Sequence, residues 1–280
     1  MTGKQNGDLP KSRRWEIPDY SEQVFADRRT RFAIVIPVIN EGERIQAQLR
    51  EMSEAGHMDL ADTVIVDGGS TDGSLDVLTL GRCGIRALLT KTGPGKLSAQ
   101  LRCAYAWVLD QGYEGIVTID GNGKDGIEAV PAFVNALGEG YDYIQASRFI
   151  AGGSAENTPL SRSAAIRLIH APVLSLAAGH RFTDTTQGFR AYSRRYLLDD
   201  QVQPFRSIFD RYELLAYLTV RASQLGYWVK ELPTRRDYPE SGVVPTKIDG
   251  LRGQFDLLVT MFKAAIGAFH SSSGKKGRHH

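Results

Sequence analysis

The chain has 280 residues, of which 42% are apolar and 24% charged, and a formal net charge of +2. This is the make-up of an ordinary soluble globular protein, long enough for one large domain or a core with an appendage. The near-neutral balance excludes a global electrostatic argument for nucleic-acid binding. No apolar run reaches the ~18 residues of a membrane-spanning helix, and the N-terminus lacks the apolar core of a signal peptide. Cys83 and Cys103 have no metal-ligand spacing, so they read as buried thiols in a reducing compartment, which points to the cytosol.

Residues 1–30 are polar, with Pro10, Pro18 and scattered basic side chains, and read as an extension that packs late if at all. From Phe32 the pattern becomes strand and helix in alternation. Phe32 to Pro37 reads as a buried strand, and Glu41 to about Ala55 as a helix with Ile45 and Leu49 on one face. The Val64 strand leads through an acid-and-glycine turn to a helix from Ser74 to about Leu80. Ile85 to Thr90 is a third strand, and Ser98 caps a helix to about Leu109. The Ile116 strand, a helix over Ile127–Leu137 and a strand over Tyr143–Ser147 follow. Continuous apolar strands separated by helices argue for a mostly parallel α/β sheet covered on both faces.

The second half is less regular. Ser161 to Ala178 reads as a helix, Asp184 to Tyr192 as a turn and strand, Asp210 to Leu225 as a helix, Tyr227 to Leu232 as a strand, and Arg235 to Lys247 as a loop. Leu251 to Phe269 is the best amphipathic helix, with Leu251, Phe255, Leu258, Val259, Phe262, Ile266 and Phe269 on one face. Such a face packs on its own domain or lies in a membrane interface, where Arg252 and Lys263 suit anionic headgroups. Residues 271–280, with Lys275, Lys276 and Arg278, read as a solvated tail. Trp15, Trp107 and Trp228 read as packing residues.

Two strands end on an aspartate. Val64-Ile65-Val66-Asp67 runs into Gly68-Gly69-Ser70-Thr71-Asp72-Gly73, and Val117-Thr118-Ile119-Asp120 into Gly121-Asn122-Gly123-Lys124-Asp125. In open α/β sheets ligands bind outside the carboxyl ends of the strands, and glycines let a ligand approach. The Asp67 turn reads as a nucleoside site or as an Asx-type turn with Asp72 capping the next helix. Asp120 and Asn122, two residues apart, could share a hard cation that bridges to diphosphate oxygens. At the end of the first strand, Pro37 and the polar residues after it shape a base-binding wall, or Asn40 simply caps the helix.

Taken together, Pro37–Glu41, the Asp67–Gly73 turn, the Asp120 turn and Asp184-Thr185-Thr186-Gln187-Gly188-Phe189-Arg190 resemble glycosyltransferase family 2 over about residues 31–250, and within it the dolichol- and polyprenyl-phosphate sugar synthases. The order and spacing of these motifs carry the likeness. The resemblance implies a GT-A fold with a Rossmann-like central sheet, a C-terminal amphipathic helix over 251–270, a nucleotide-sugar donor linked to UDP or GDP, a divalent metal (Mg²⁺ or Mn²⁺) and inversion at the anomeric carbon. It places Pro37, Asn40, Glu41, Asp67, Gly69, Ser70 and Lys96 at the nucleotide. Asp120 and Asn122 fall at the metal and diphosphate, and Arg148 at a phosphate. Arg162 and Ser163 approach an acceptor phosphate. Asp184, Gln187 and Arg190 line the sugar pocket, and Arg236 and Lys247 close over the diphosphate.

The sequence departs from the family pattern at three points. Gly68 stands where a second acid is usual, Asn122 where the family's second metal acid stands, and Lys124 where a glutamine is frequent. A lysine there can neutralise diphosphate directly, so Lys124 joins Asp120 as a catalytic candidate. A phosphate acceptor needs no strong base, whereas a hydroxyl acceptor does, and Asp210 and Glu213 are then the candidates. The acceptor is expected to be a polyprenyl phosphate at the cytosolic face of the membrane, reached as a peripheral protein. A saccharide hydroxyl in polysaccharide or glycolipid synthesis is the alternative, as is a non-catalytic nucleotide-sugar-binding member; a homo-oligomer stays open. A dinucleotide oxidoreductase would need G-x-G-x-x-G after the first strand, which is absent.

Overall fold

The computed structural model describes residues 15–238 and 250–271. Its strands are β1 (Tyr20–Val24), β2 (Ala33–Val38), β3 (Asp62–Asp67), β4 (Ala87–Lys91), β5 (Gly115–Thr118), β6 (Tyr143–Ser147), β7 (Ser154–Glu156), β8 (Arg190–Ser193), β9 (Val229–Pro233) and β10 (Arg235–Asp237). Its helices are α1 (Glu43–Glu54), α2 (His57–Leu60), α3 (Val77–Arg82), α4 (Leu97–Asp110), α5 (Val130–Gly138), α6 (Leu160–Ala165), α7 (Ala171–Ala178), α8 (Arg194–Leu197), α9 (Glu213–Gln224) and α10 (Gly250–Ala265). A π-helical segment, Ile166–His170, joins α6 to α7.

Eight strands form one sheet in the order β1-β4-β3-β2-β5-β8-β6-β9, while β7 and β10 pair apart from it. Strands β2–β6 and β9 run parallel, and β1 and β8 antiparallel to their neighbours. The mostly parallel sheet is the expected one. Because successive side chains point to opposite faces, the unbroken apolar run of β2 feeds two cores. Ala33 and Val35 join α4 and α9 on one face, and Ile34 and Ile36 join α1 and α5 on the other. The antiparallel β8 brings its amino end to the carboxyl ends of β5 and β6, where Arg190 pairs with Thr118 and Gln145. That edge is where the conspicuous motifs meet.

Several local expectations are corrected. Residues 15–30 are part of the domain: β1 adds to β4 at the sheet edge, and Trp15 packs on Phe205 with ring centroids 4.3 Å apart. Gly42, at φ 57°, and not Asn40 stands at the start of α1. Asp76 caps α3 by accepting from the Thr79 amide at 2.9 Å, while Asp72 accepts from Ser74 and from the Gly42 amide. Ser98 lies inside α4 and its hydroxyl accepts from Leu214 N. The stretch after Arg235 opens as a strand, because β10 finds the free edge of β7. Trp228 is 62% exposed and so is not a packing residue. Cys83 and Cys103 are buried free thiols, as expected. Lys247 and residues 272–280 lie outside the described residues.

Candidate active site

At the first motif, the loops after β2 and β3 are laced together. Asp67 Oδ1 accepts from Gly69 N, Ser70 N and Ser70 Oγ at 3.1, 2.8 and 2.7 Å. Asn40, held at φ 48°, donates its amide to Ser70 Oγ and accepts from Thr71 N at 2.7 Å. The Asx-type turn therefore accounts for one Asp67 oxygen and for the Asn40 amide oxygen. What the turn offers a ligand is its rim, with Glu41, Gly69 and Ser70 beside the carboxyl end of β2. Pro37 itself is a strand residue, paired with Val66. Gln100 reaches from α4 to donate to the carbonyls of Val38 and Val66. A Cβ on Gly68 would stand 3.2 Å from Gln100 Oε1 and 3.3 Å from Ile39 Cβ, so a side chain at that position would require these neighbours to shift.

The second motif is the electrostatic centre. A Cβ on Gly188 would come closer to Asp120 Oδ1 than real Cβ contacts allow, so the glycine lets the turn before β8 press on this carboxylate. Gly121 is required on the other side, where a Cβ would stand 2.9 Å from Val38 Cγ2. Asp120 Oδ2 lies 3.5 Å from Arg236 Nη2 and from Asn122 Nδ2. Arg236 also forms a buried ion pair with Asp125. The strand carrying it is tied to the Asp120 loop by Gly126 N to Arg235 O at 2.9 Å and Asp237 N to Lys124 O at 3.0 Å. Lys124 and Arg162 both stand 5.5 Å from the centre of the Tyr238 ring, and Arg236 stands 6.0 Å from it.

Around Asp120 and Asp125, then, three cations face two carboxylates. Burial, and next Arg236, lower the Lys124 ammonium to about 8. Burial also draws Arg162 below its ordinary value, with Tyr238 opposing and Arg236 and Arg148 adding to the effect. Crowded cations with too few anions are what a polyanionic ligand relieves. Alanine at Gly188 should displace the Asp120 carboxylate without emptying the cluster. Misplacement of that size costs about 100-fold in rate, so we expect Gly188→Ala to lower kcat by that order with nucleotide affinity little changed. A wild-type kcat would show that the carboxylate position is unimportant.

Four side chains expected at a ligand are instead bonded internally. Arg148 forms a bidentate pair with Asp184 (Nε to Oδ2 2.7 Å, Nη2 to Oδ1 3.1 Å), and both side chains are buried. Gln187 donates to Asp184 at 3.0 Å and accepts from Thr234. Arg190 is fully enclosed, donating to Gln187 O, Thr185 O, Leu215 O and Thr219 Oγ1. These four side chains fix the turn that presents Gly188; Thr186 is exposed beside them, with its hydroxyl bonded to Arg148 and Asp184. Burial pushes the Asp184 carboxyl up, but Arg148 and the hydrogen bonds of Gln187 and Thr186 outweigh it and hold it below the usual carboxylate range. A depressed folded-state pKa gives stability that is present above the unfolded value of ~3.9 and lost as pH falls toward the folded one. Acid unfolding should therefore be less steep below about pH 4 in Asp184→Asn than in the wild type; equal steepness would remove Asp184 from the acid-sensitive set.

Glu213, the first residue of α9, accepts from the Asp210 and Arg211 amides at 3.0 and 2.6 Å and so holds the turn that leads into the helix. Asp210 lies against Gly95, where a Cβ would overlap its Oδ1, and its carbonyl accepts from Lys96 N. This puts Asp210 and Lys96 together at the carboxyl edge and makes Asp210 the better placed acid. Sequence reasoning missed Tyr238, whose signal was strand alternation: two residues after Arg236, it shares that side chain's face.

No family model matches the sequence. The chain is 28% identical over 238 residues to the polyprenol monophosphomannose synthase of Mycolicibacterium smegmatis, covering 84% of this chain and 86% of that protein. It is 27% identical to the undecaprenyl-phosphate mannosyltransferase of Micrococcus luteus, covering 72% and 82%. Its fold matches glucosyl-3-phosphoglycerate synthase from Mycobacterium tuberculosis, solved with Mn²⁺, UDP and phosphoglyceric acid, at a TM-score of 0.57 and 19% identity over 84% of this chain and 78% of that one. The chain is a GT-A glycosyltransferase resembling the polyprenyl-phosphate sugar synthases of family 2. In this glycosyltransferase the donor set around Asp120 suits a metal completed by substrate. Among the described residues no group of three or more His, Cys, Asp or Glu side chains converges, yet Mg²⁺ is commonly held by one or two carboxylates plus phosphate oxygens. Asp120 fits that role. Asn122 fits less well, since its Oδ1 already accepts from Lys124 N at 3.2 Å.

Proposed function

We propose that the glycosyltransferase moves a sugar, with inversion, from a UDP- or GDP-linked donor to a polyprenyl phosphate at the cytosolic membrane surface. The observation that carries the reading is the Asp120 carboxylate, pressed on Gly188 and contacted by Arg236, with Lys124, Arg236 and Arg162 gathered around the Tyr238 ring. The rim of the Asp67 turn would take the nucleoside. A divalent metal held by Asp120, with Asn122 beside it, would supply positive charge to the diphosphate. Lys124 and Arg236 neutralise the charge that develops on the leaving oxygen, and such preorganised cations act most strongly where water is excluded. Arg162, beside the Tyr238 ring, would take the acceptor phosphate with Ser163 next to it. An ionised phosphate attacks without a base. Asp210 is the base for the alternative acceptor, a saccharide hydroxyl.

Membrane contact is supported by apolar side chains that the fold leaves outside. On α10 and the turn after it, Met261, Ala264 and Phe269 are buried and Leu258 packs on the core, while Phe255, Phe262 and Ile266 are 64%, 50% and 79% exposed, so part of the expected apolar face does not pack on the domain. This helix lies against α7, and Leu160, Leu168 and Leu176, along the continuous helical arm formed by α6, the π-helical segment and α7, are 87%, 75% and 86% exposed. Among the described residues no helix is long and apolar enough to cross a membrane. A thermal-shift series with UDP, GDP and their sugars, with and without Mn²⁺, tests the donor; a ligand at 100 times its Kd stabilises by about 2.7 kcal/mol. Transfer from the stabilising donor to polyprenyl phosphate supports the acceptor assignment, and transfer only to a saccharide overturns it.

A further inference from the structure

Beside the catalytic edge lies a second concave site. A groove of about 430 Å³ runs between Phe149 and α7, lined by Arg167, Ala171, Pro172, Ser175, Arg181 and Phe182 among others. Its polar lining is already satisfied: Ser175 Oγ bonds Phe182 N and O, and the Thr183 hydroxyl bonds Ser147 and Glu231. Arg167 and Arg181 are the exceptions. Both are exposed, and neither has a carboxylate partner among the described residues. Arg167 stacks on Phe149 at 4.3 Å. Other arginines nearby are committed, Arg148 to Asp184 and Arg236 to Asp120 and Asp125. On the outer side of the same helical arm stand Leu168, Ile169 and Leu176, exposed to 75%, 41% and 86%.

Two uncommitted guanidinium groups over apolar walls, beside a row of exposed aliphatic side chains, fit an anion attached to something apolar. We propose that this groove holds the phosphate headgroup of an anionic membrane phospholipid, distinct from the sugar acceptor. Neither Arg162 nor Arg148 lines the groove, and Arg148, paired with the buried Asp184, stands 5.2 Å from the Phe149 ring on which Arg167 stacks. Headgroup capture at Arg167 and Arg181, with Leu168 and Leu176 entering the acyl boundary, fixes how the domain sits on the bilayer and so which way Arg162 faces. The inference rests on the reading that this face meets a membrane, not on the identity of the acceptor.

The test uses the full chain and sedimenting vesicles free of polyprenyl phosphate, either phosphatidylcholine alone or phosphatidylcholine with phosphatidylglycerol. Each arginine near an anionic surface contributes to binding by diffuse charge alone, so a charge-keeping variant is decisive. Arg167→Lys with Arg181→Lys keeps the charge but loses the planar fork that pairs with phosphate oxygens. Affinity for the anionic vesicles should fall about tenfold in this double variant and further in the double glutamine variant. Melting temperature and nucleotide binding should be unchanged, since both side chains are exposed and outside the donor site. Wild-type affinity in the lysine variant would overturn the site in favour of diffuse attraction. Equal binding to neutral vesicles would overturn it too. Displacement from vesicles by millimolar glycerol phosphate would reassign the groove to a free phosphate. If vesicle binding behaves as expected while polyprenyl phosphate is not glycosylated, only the acceptor reading fails.

Discussion

Asp120→Ala is expected to lower sugar transfer about 10³-fold, or about 4 kcal/mol in the barrier, while leaving the protein folded. The rate effect follows from what meets at this one carboxylate. It ends the β5 edge, faces Gly188, and is more loosely held than Asp125: its contacts to Arg236 and Asn122 are both at 3.5 Å, whereas Asp125 is buried in its pair with Arg236. Removing it takes away the group that fits a metal and leaves Lys124, Arg236 and Arg162 with one carboxylate fewer. Nucleotide binding should survive in part, because the Asp67 turn and the surplus cations remain, but any Mn²⁺-dependent increment in thermal shift should vanish. Asp120→Asn keeps the shape and should be nearly as slow, which separates charge from packing. Transfer by the asparagine variant within tenfold of wild type would remove Asp120 as the charge that organises the diphosphate.

The sheet was legible because its strands are continuous apolar runs ended by glycine and acid, and the period of such runs depends on burial at both faces. The Asp67 and Asp120 turns were legible for the same reason: they interrupt that pattern with groups that chemistry needs and packing does not. What the sequence hid is the difference between a polar side chain that faces a ligand and one that holds up the wall behind it. Arg148, Asp184, Gln187 and Arg190 sit in a motif that reads as a pocket lining, yet all four are buried and bonded to one another or to backbone. The partner of Arg148 lies 36 residues away and that of Arg236 lies 111 away, and no local pattern reports such pairs. The amphipathic helix shows the converse. Its apolar stripe was visible, but which part packs depends on α7 and α9: Met261 and Ala264 turn inward while Phe255 and Ile266 stay outside.

Arg236→Gln should destabilise the fold by about 3–5 kcal/mol, the usual cost of leaving a buried charge without its partner. Asp125 is the orphan. Its side chain is 1% exposed and that of Arg236 9%; burial pushes the Asp125 carboxyl up against the pull of Arg236. Burial likewise opposes charge on Arg236, but Asp125 and Asp120 keep the guanidinium protonated. The backbone ties between β10 and the Asp120 loop do not depend on either side chain, so β10 should remain in place. Adding Asp125→Asn removes the uncompensated charge, and urea unfolding of the double variant should recover most of the loss, as neutral replacements of buried pairs generally do. Activity should not return with stability. The double variant still lacks the guanidinium beside Asp120, and one electrostatic donor of this kind accounts for about 10²–10³-fold in kcat. Recovery of both together would make Arg236 a strut for the loop and leave Lys124 as the cation at the leaving group; recovery of stability alone assigns Arg236 to both tasks.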